Sequence, residues 1–333
     1  MSDEPLGQRT VLISVNPKAG RKSPREKAER LKLVLVKKGF NAEIHTDLDI
    51  VSQRANSLFE NSKLQALVGV GGDGTAAELT NRTLPGVPIT LLPSGTANLI
   101  AKYLKLPFNP DRSADMIASG STISLDAGKA NGRLFLVMIS AGIDAEIVRL
   151  VHASREANYR NQTKKGAHIS YLSYLKPIFR TVNRYKYHNV QTKIQYGNPV
   201  ETTSDAIVGK WSFVFNLPRY GWGLPLVPQC VGNDNELDYC IFQGGKLFTA
   251  LFDVACAQFF SMHRFLPNTK IGRGSRFLID VDPNEKLVDA VPYQIDGDPG
   301  GVLPVEVEIE PNRFTALAPR KTIEKLARKN TSH

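Results

Sequence analysis

Along the amino-terminal third of the chain, short uninterrupted apolar runs alternate with longer stretches in which apolar residues recur at helical spacing. Runs of this kind suit strands buried on both faces of a parallel sheet, and the amphipathic stretches suit helices that cover it. The pattern predicts four buried strands, Thr10 to Val15, Asn41 to His45, Gln65 to Val70 and Pro88 to Leu92. The helix after the first of them is the most clearly punctuated. Ser23 can cap it, Pro24 suits its first position, Glu26 completes a capping box, and Gly39 ends it after Lys37 and Lys38.

From about Ser124 the texture changes to alternating strands joined by Gly, Asn and Pro turns, which predicts an antiparallel, β-rich second domain. Its predicted strands include Leu134 to Ile139, Val190 to Tyr196, Trp211 to Asn216, Leu237 to Phe242 and Val305 to Ile309. A basic, aromatic and mostly helical insertion covers 145–187, a further helix covers Lys246 to His263, and a short basic tail, Arg320 to Lys329, has helical composition. The expected organisation is an α/β domain over 1–124, a β-rich domain over 125–312, and a carboxy-terminal segment over 313–333 that returns to the first domain.

Composition narrows the classes. With 42% hydrophobic and 22% charged residues the chain is globular in type, and its 333 residues suit two domains better than one. No window approaches the length of uncharged apolar sequence that a spanning helix needs, and the first ten residues lack the apolar core of a signal peptide, so a cytoplasmic protein is expected. Cys230, Cys240 and Cys256 stand apart, without metal or disulfide spacing. A net charge of +10 points to an anionic partner, whether phosphate, an acidic lipid surface or nucleic acid. No recognised nucleic-acid module accompanies that charge, and none is expected to bind.

The chemistry gathers where the predicted strands end. In a doubly wound sheet, ligands bind outside the carboxyl ends of the strands. Those ends carry Asn16-Pro17-Lys18-Ala19-Gly20, then Thr46, then Gly71-Gly72-Asp73-Gly74-Thr75, then Pro93-Ser94-Gly95-Thr96-Ala97-Asn98. Glycines let backbone N–H groups approach phosphate oxygens, Thr75 and Thr96 add hydroxyl donors, and helix N-termini favour negative charge. Asp73 would repel bare phosphate but suits a site in which Mg²⁺ intervenes. Taken singly, each loop is equally a tight turn; four on one edge favour a polyphosphate site. The string G-x-x-x-x-G-K-[ST] does not occur, which argues against P-loop enzymes.

The strings Val15 to Gly20, Gly71 to Glu78 and Leu92 to Ala101 resemble the diacylglycerol kinase catalytic-domain family, which includes bacterial lipid kinases and the sphingosine and ceramide kinases. Asn216 to Gly223, Asp234 to Tyr239 and Gln294 to Asp298 extend the resemblance more loosely. It implies an NAD-kinase/diacylglycerol-kinase-like fold, a parallel α/β nucleotide-binding domain plus an antiparallel β-sandwich-like domain, with ATP in a cleft between them. It further implies transfer of the ATP γ-phosphate to a hydroxyl of a diacylglycerol-like or sphingoid lipid. Nucleotide contacts would fall to Asn16, Pro17, Gly20, Thr46, Gly71, Gly72, Asp73, Gly74, Thr75, Gly95, Thr96 and Asn98. Asp73 and Asp126 would organise Mg²⁺, and a second, structural metal would lie at Asp234 with carbonyls of Val231 and Glu236. Asp298 would be the base, within the motif opened by Asp296.

The chain departs from the family pattern at three points. Asp298 stands for Glu, which draws the carboxylate back by one methylene; Ala77 stands for Asn; and Leu99 stands for an acid. Two other readings stay open at this level, an NAD kinase-type enzyme acting on a soluble ribose and a catalytically silent nucleotide-binding regulator. The lipid reading carries a further expectation: the basic residues from Arg149 to Lys186, interleaved with Tyr159, Tyr171, Tyr174 and Phe179, would give transient contact with an anionic membrane. A solvated helical face whose aromatics pack inward explains that composition equally well. Neither the lipid nor the oligomeric state is legible.

Overall fold

The computed structural model of the chain describes residues 9–15, 24–161, 188–196, 201–221, 223–244, 268–286 and 290–330. They divide into two units, one comprising 1–127, 231–235 and 310–333 and the other 128–230 and 236–309. The Lys246 to His263 helix and the 162–187 part of the basic insertion lie outside the described residues.

The first unit runs β1 (Thr10–Val15), α1 (Pro24–Lys37), β2 (Asn41–His45), α2 (Leu48–Glu60), β3 (Leu64–Gly71), α3 (Asp73–Arg82), β4 (Ile89–Pro93), α4 (Leu99–Tyr103), α5 (Pro110–Ser119) and the start of β5 (Thr122–Ala130). The strands align in parallel in the order β2-β1-β3-β4. Every residue of β1, β3 and β4 is buried, which is why these strands read as unbroken apolar runs. The helices start where side chains can satisfy first-turn amides. Asp47 accepts from the N–H of Asp49 (2.9 Å) and Ile50 (3.0 Å) to open α2. Asn109 accepts from Asp111 N–H, with Pro110 at the first position, to open α5, which closes on left-handed Gly120. Since β1 has β2 on one side and β3 on the other, the strand order reverses between β1 and β3. The carboxyl ends of those two strands flank the switch point at which such sheets bind ligands.

The second unit continues through β6 (Arg133–Phe135), β7 (Met138–Gly142), α6 (Ile143–Asn161), β8 (Val190–Tyr196), β9 (Glu201–Gly209), β10 (Trp211–Phe215), β11 (Leu237–Phe242), β12 (Thr269–Gly274), β13 (Arg276–Val281), β14 (Pro292–Ile295) and β15 (Asp298–Val302). The long β16 (Val305–Leu317) begins here and ends in the first unit, where Ala316 pairs in parallel with Ile89 of β4, and α7 (Arg320–Asn330) follows. One antiparallel sheet has the order β12-β11-β10-β7-β14-β15. In another set of strands, β13 pairs antiparallel with both β8 and β16, and β8 with β9. Their apolar faces share a core that includes Phe135, Ile139, Val214, Ile241, Phe277, Tyr293 and Val305, a sandwich-like arrangement. The fold is therefore a parallel α/β unit plus an antiparallel β unit.

One predicted strand is corrected. Leu134 to Ile139 reads as a single strand in the sequence, but the structure breaks it into β6 and β7 at Leu136 and Val137. The backbone N–H groups of this stretch leave the ladder to donate to the Asp296 carboxylate. A period-two pattern cannot register a competing side-chain acceptor from 158 residues or more away.

Candidate functional site

In the first unit the site is built on the loops after β3 and β4. The carbonyl of Gly71 accepts from the N–H of Ser94 (2.9 Å) and Gly95 (3.3 Å). Gly72 and Gly95 meet backbone to backbone: a Cβ on Gly95 would lie 2.7 Å from the Gly72 Cα. No side chain other than hydrogen fits that approach. Asn98, held in the left-handed region at φ 50°, clamps Gly95 with both ends of its amide. Its Oδ1 accepts from Gly95 N–H (3.1 Å), and its Nδ2 donates to the Gly95 carbonyl (2.7 Å).

That clamp occupies the side chain that would otherwise cap α4. The cap comes instead from Asp73, at the start of α3, whose Oδ2 accepts from Leu99 N–H (2.9 Å) and Oδ1 from Ile100 N–H (2.8 Å). Asp73 thus ties the Gly71 to Thr75 loop to the helix beyond the second loop. Burial pushes its carboxyl above the ordinary carboxylate range, against the amides of Ile100, Leu99 and Asp73 itself and the positive charge of Lys102, which pull it down. The residue is partly exposed, and its carboxylate oxygens retain acceptor capacity beyond their amide bonds. The Ser94 hydroxyl, in the second loop, is buried and has no hydrogen-bond partner among the described residues.

Also in the first unit, Asp126 is buried, with its carboxyl raised by desolvation against the backbone amides of Asn312, Asn235 and Asp234. Its Oδ1 accepts from Asn312 N–H and its Oδ2 from Asn235 N–H, each at 2.8 Å, while its own N–H donates to the Gly232 carbonyl (2.7 Å). Gly232 N–H in turn donates to the Tyr103 hydroxyl at the end of α4 (3.2 Å). One carboxylate therefore gathers three separated segments of the first unit.

In the second unit the motif from Gln294 to Asp298 forms the turn between β14 and β15. Asp296 (φ 51°) and Gly297 (φ 87°) are consecutive left-handed residues, the geometry of a two-residue hairpin turn. The Asp296 carboxylate accepts from the N–H of Leu136, Val137 and Met138 at 2.8 to 2.9 Å. On the same segment Asn216 Nδ2 donates to the Leu136 carbonyl (2.9 Å). Asp298, next in the turn, is partly exposed.

The predicted residues therefore fall into separate groups. Gly71 to Thr75 and Ser94 to Asn98 are brought together, and Asp126 is joined to the segment containing Val231 and Asp234. Glu236 directs its carboxylate to Arg273 (3.0 Å). Thr46 is exposed at the carboxyl end of β2, on the same sheet edge. Asn16, Pro17 and Gly20 lie outside the described residues, as does the Ser23 cap. Among the described residues no three His, Cys, Asp or Glu side chains converge as a metal cage, so an ion here would draw on phosphate, water or carbonyl oxygens. No described helix is long and apolar enough to cross a membrane. Sequence reasoning missed Ser140 and Asp144, which meet the Gln294 side chain in the core. Their only signal is a serine and an aspartate four residues apart in an otherwise apolar stretch.

Residues 10–130 match the family model described as the diacylglycerol kinase catalytic domain. A diacylglycerol kinase of Staphylococcus carnosus is 25% identical over 306 residues, 89% of this chain and 91% of the relative. A protein named as a YegS-like lipid kinase, from Citrobacter koseri, is 24% identical over 262 residues, 77% of this chain and 79% of the relative. Among solved structures, the crystal structure of a diacylglycerol kinase from Bacillus anthracis superposes with a TM-score of 0.64 at 18% identity, covering 95% of this chain and 98% of the other.

Proposed function

We propose that this chain is a member of the diacylglycerol kinase catalytic-domain family, whose model matches residues 10–130, and that it transfers the γ-phosphoryl group of ATP to a hydroxyl of a diacylglycerol-like or sphingoid lipid. It is a lipid kinase, and the observation that carries the ATP reading is the cross-tied pair of glycine loops at the carboxyl edge of a parallel sheet. Phosphoryl transfer leaves a protein little covalent work, so positioning and charge neutralisation dominate.

Backbone amides of the Gly71 to Thr75 loop and the first turn of α3 bind the phosphates, with the hydroxyls of Thr75, Thr96 and Ser94 as further donors. The donor set fits a Mg²⁺ that arrives with the nucleotide, since Asp73 is partly exposed and such ions are held by one or two carboxylates plus phosphates. That ion would supply neutralisation of the triphosphate charge. Asp126, buried and bonded to amides, supports this site by fixing the 231–235 segment. Asp296 holds its turn against Leu136 to Met138, and Asp298 accepts the proton of the lipid hydroxyl. A net charge of +10 favours transient contact with the anionic surface where such a lipid resides.

The test is incubation with γ-labelled ATP and a total lipid extract, followed by identification of the labelled species. A labelled lipid that disappears with Asp73→Ala, in a variant of unchanged circular dichroism, is the expected result. Labelling that survives this substitution, or that appears on NAD and on no lipid, would refute the reading.

A further inference from the structure

We propose that a buried hydrogen-bond chain in the second unit, running from Gln294 through Ser140 to Asp144 and joined there by Tyr220, fixes the turn that carries Asp298. Ser140, Asp144, Tyr220 and Gln294 are then positioning residues for proton removal from the lipid hydroxyl. The inference rests on the reading of Asp298 as the base.

The chain is continuous and its direction is determined at both ends. Gly297 N–H, which can only donate, points at Gln294 Oε1 (2.7 Å). The amide of Gln294 is thereby oriented, and its Nε2 donates to Ser140 Oγ (2.9 Å) and reaches Asp144 Oδ2 (3.4 Å). The Ser140 hydroxyl, having accepted that bond, donates to Asp144 Oδ2, and the Tyr220 hydroxyl donates to Asp144 Oδ1. The carboxylate is the terminal acceptor. Gln294 Nε2 also lies 2.8 Å from Met138 Sδ, so rotating the Gln294 amide breaks bonds at both its ends.

The placement has a simple origin in the fold. Gln294 and Ser140 are directly paired across β14 and β7, which puts their side chains on the same face. Asp144 lies in the first turn of α6, four residues after Ser140. Gln294 and Ser140 are fully buried and Asp144 nearly so, at 6% exposure.

Stability alone does not explain such a group. Among the described residues no basic side chain pairs with Asp144, and a buried carboxylate held by neutral donors is a poor substitute for apolar packing. What the chain provides is a fixed orientation for Gly297 N–H, in the peptide unit that precedes the residue before Asp298. Asp296 anchors the same turn from the other side. A base one methylene shorter than the family's Glu has less reach to absorb a loose turn.

The test is a double-mutant cycle on lipid phosphorylation with Gln294→Leu and Asp298→Ala. In the wild-type background, Gln294→Leu should lower kcat roughly 10- to 100-fold, the scale of a small misplacement of a reacting group, while KM for ATP holds. In the Asp298→Ala background it should lower the residual rate no further, because its only route to the reaction has been removed. Equal losses in both backgrounds, or no loss in the first, would overturn the inference. Full activity of Asp298→Ala alone would remove the base reading, and the inference with it, and is seen separately in the same cycle. Should Gln294→Leu not fold, Ser140→Ala deletes the middle link and takes its place, with the same two outcomes deciding.

Discussion

Adding one methyl group at Gly95 tests whether the approach of the two glycine loops is what binds nucleotide. In Gly95→Ala the new Cβ would lie 2.7 Å from the Gly72 Cα, 3.0 Å from Asn98 Oδ1 and 3.2 Å from Gly72 N. Carbon atoms pack at about 3.5 to 4.0 Å, so the two backbones must separate by about 1 Å. Flexible side chains cannot absorb this, because two of the three obstacles are backbone atoms and the third belongs to the Asn98 clamp. Overpacking of this kind costs about 1 to 3 kcal/mol, which a domain with about 5 to 15 kcal/mol of stability survives. The effect on function is larger, since a 1 Å misplacement of a binding group can cost about 100-fold, equivalent to about 2.7 kcal/mol. The assay is lipid phosphorylation titrated with ATP, alongside urea unfolding. The expected result is a fall of about 100-fold in kcat/KM for ATP with the fold retained. Gly72→Ala, whose Cβ would stand 3.2 Å from the Gly95 Cα, should lose less. A folded Gly95→Ala enzyme with unchanged kcat and KM for ATP would refute the argument that these loops act as one phosphate site.

Two further outcomes concern the buried charges. Arg313, half-buried, donates through Nη2 to the carbonyls of Thr80 and Thr83 at 2.6 Å each, at the carboxyl end of α3. Arg313→Met should lower unfolding stability by about 2 to 3 kcal/mol in urea with an unchanged slope, since charged hydrogen bonds are worth about 1.5 to 3 kcal/mol; no change in midpoint would count against it. Asp126→Asn replaces one acceptor oxygen by an NH₂ group facing a backbone donor, and should cost about 2 to 4 kcal/mol. That loss should be the same with Mg²⁺ present or chelated; a loss confined to the Mg²⁺ condition would assign Asp126 to the ion instead.

How much of this was legible in the sequence depends on the range of the interaction responsible. The apolar run at Thr10 to Val15 coincides with buried β1, whereas Asn41 to His45, expected as a buried strand, is the sheet's outer strand β2 with only Ala42 buried, and the loops after β2, β3 and β4 stand on one edge because parallel strands put their carboxyl ends there. Burial on both faces leaves a local signature, and so does a loop that must be glycine because backbone approaches backbone. The roles of the acidic residues left no such signature. Asp73 and Asp126 read as ligands for a cation, and what the sequence does not reveal is that their oxygens also accept from distant amides, such as Leu99 N–H 26 residues on and Asn235 N–H 109 residues on. Asp296 breaks a predicted strand from 158 residues or more away, and Asp144 ends a hydrogen-bond chain whose other members lie on β7, β14 and the loop after β10. Residue type and local spacing thus determined the elements and the glycine loops by themselves. Which donor each carboxylate would meet was decided only when strand pairing brought distant backbone amides within hydrogen-bond reach, because a buried carboxylate takes whatever donors the fold delivers to it.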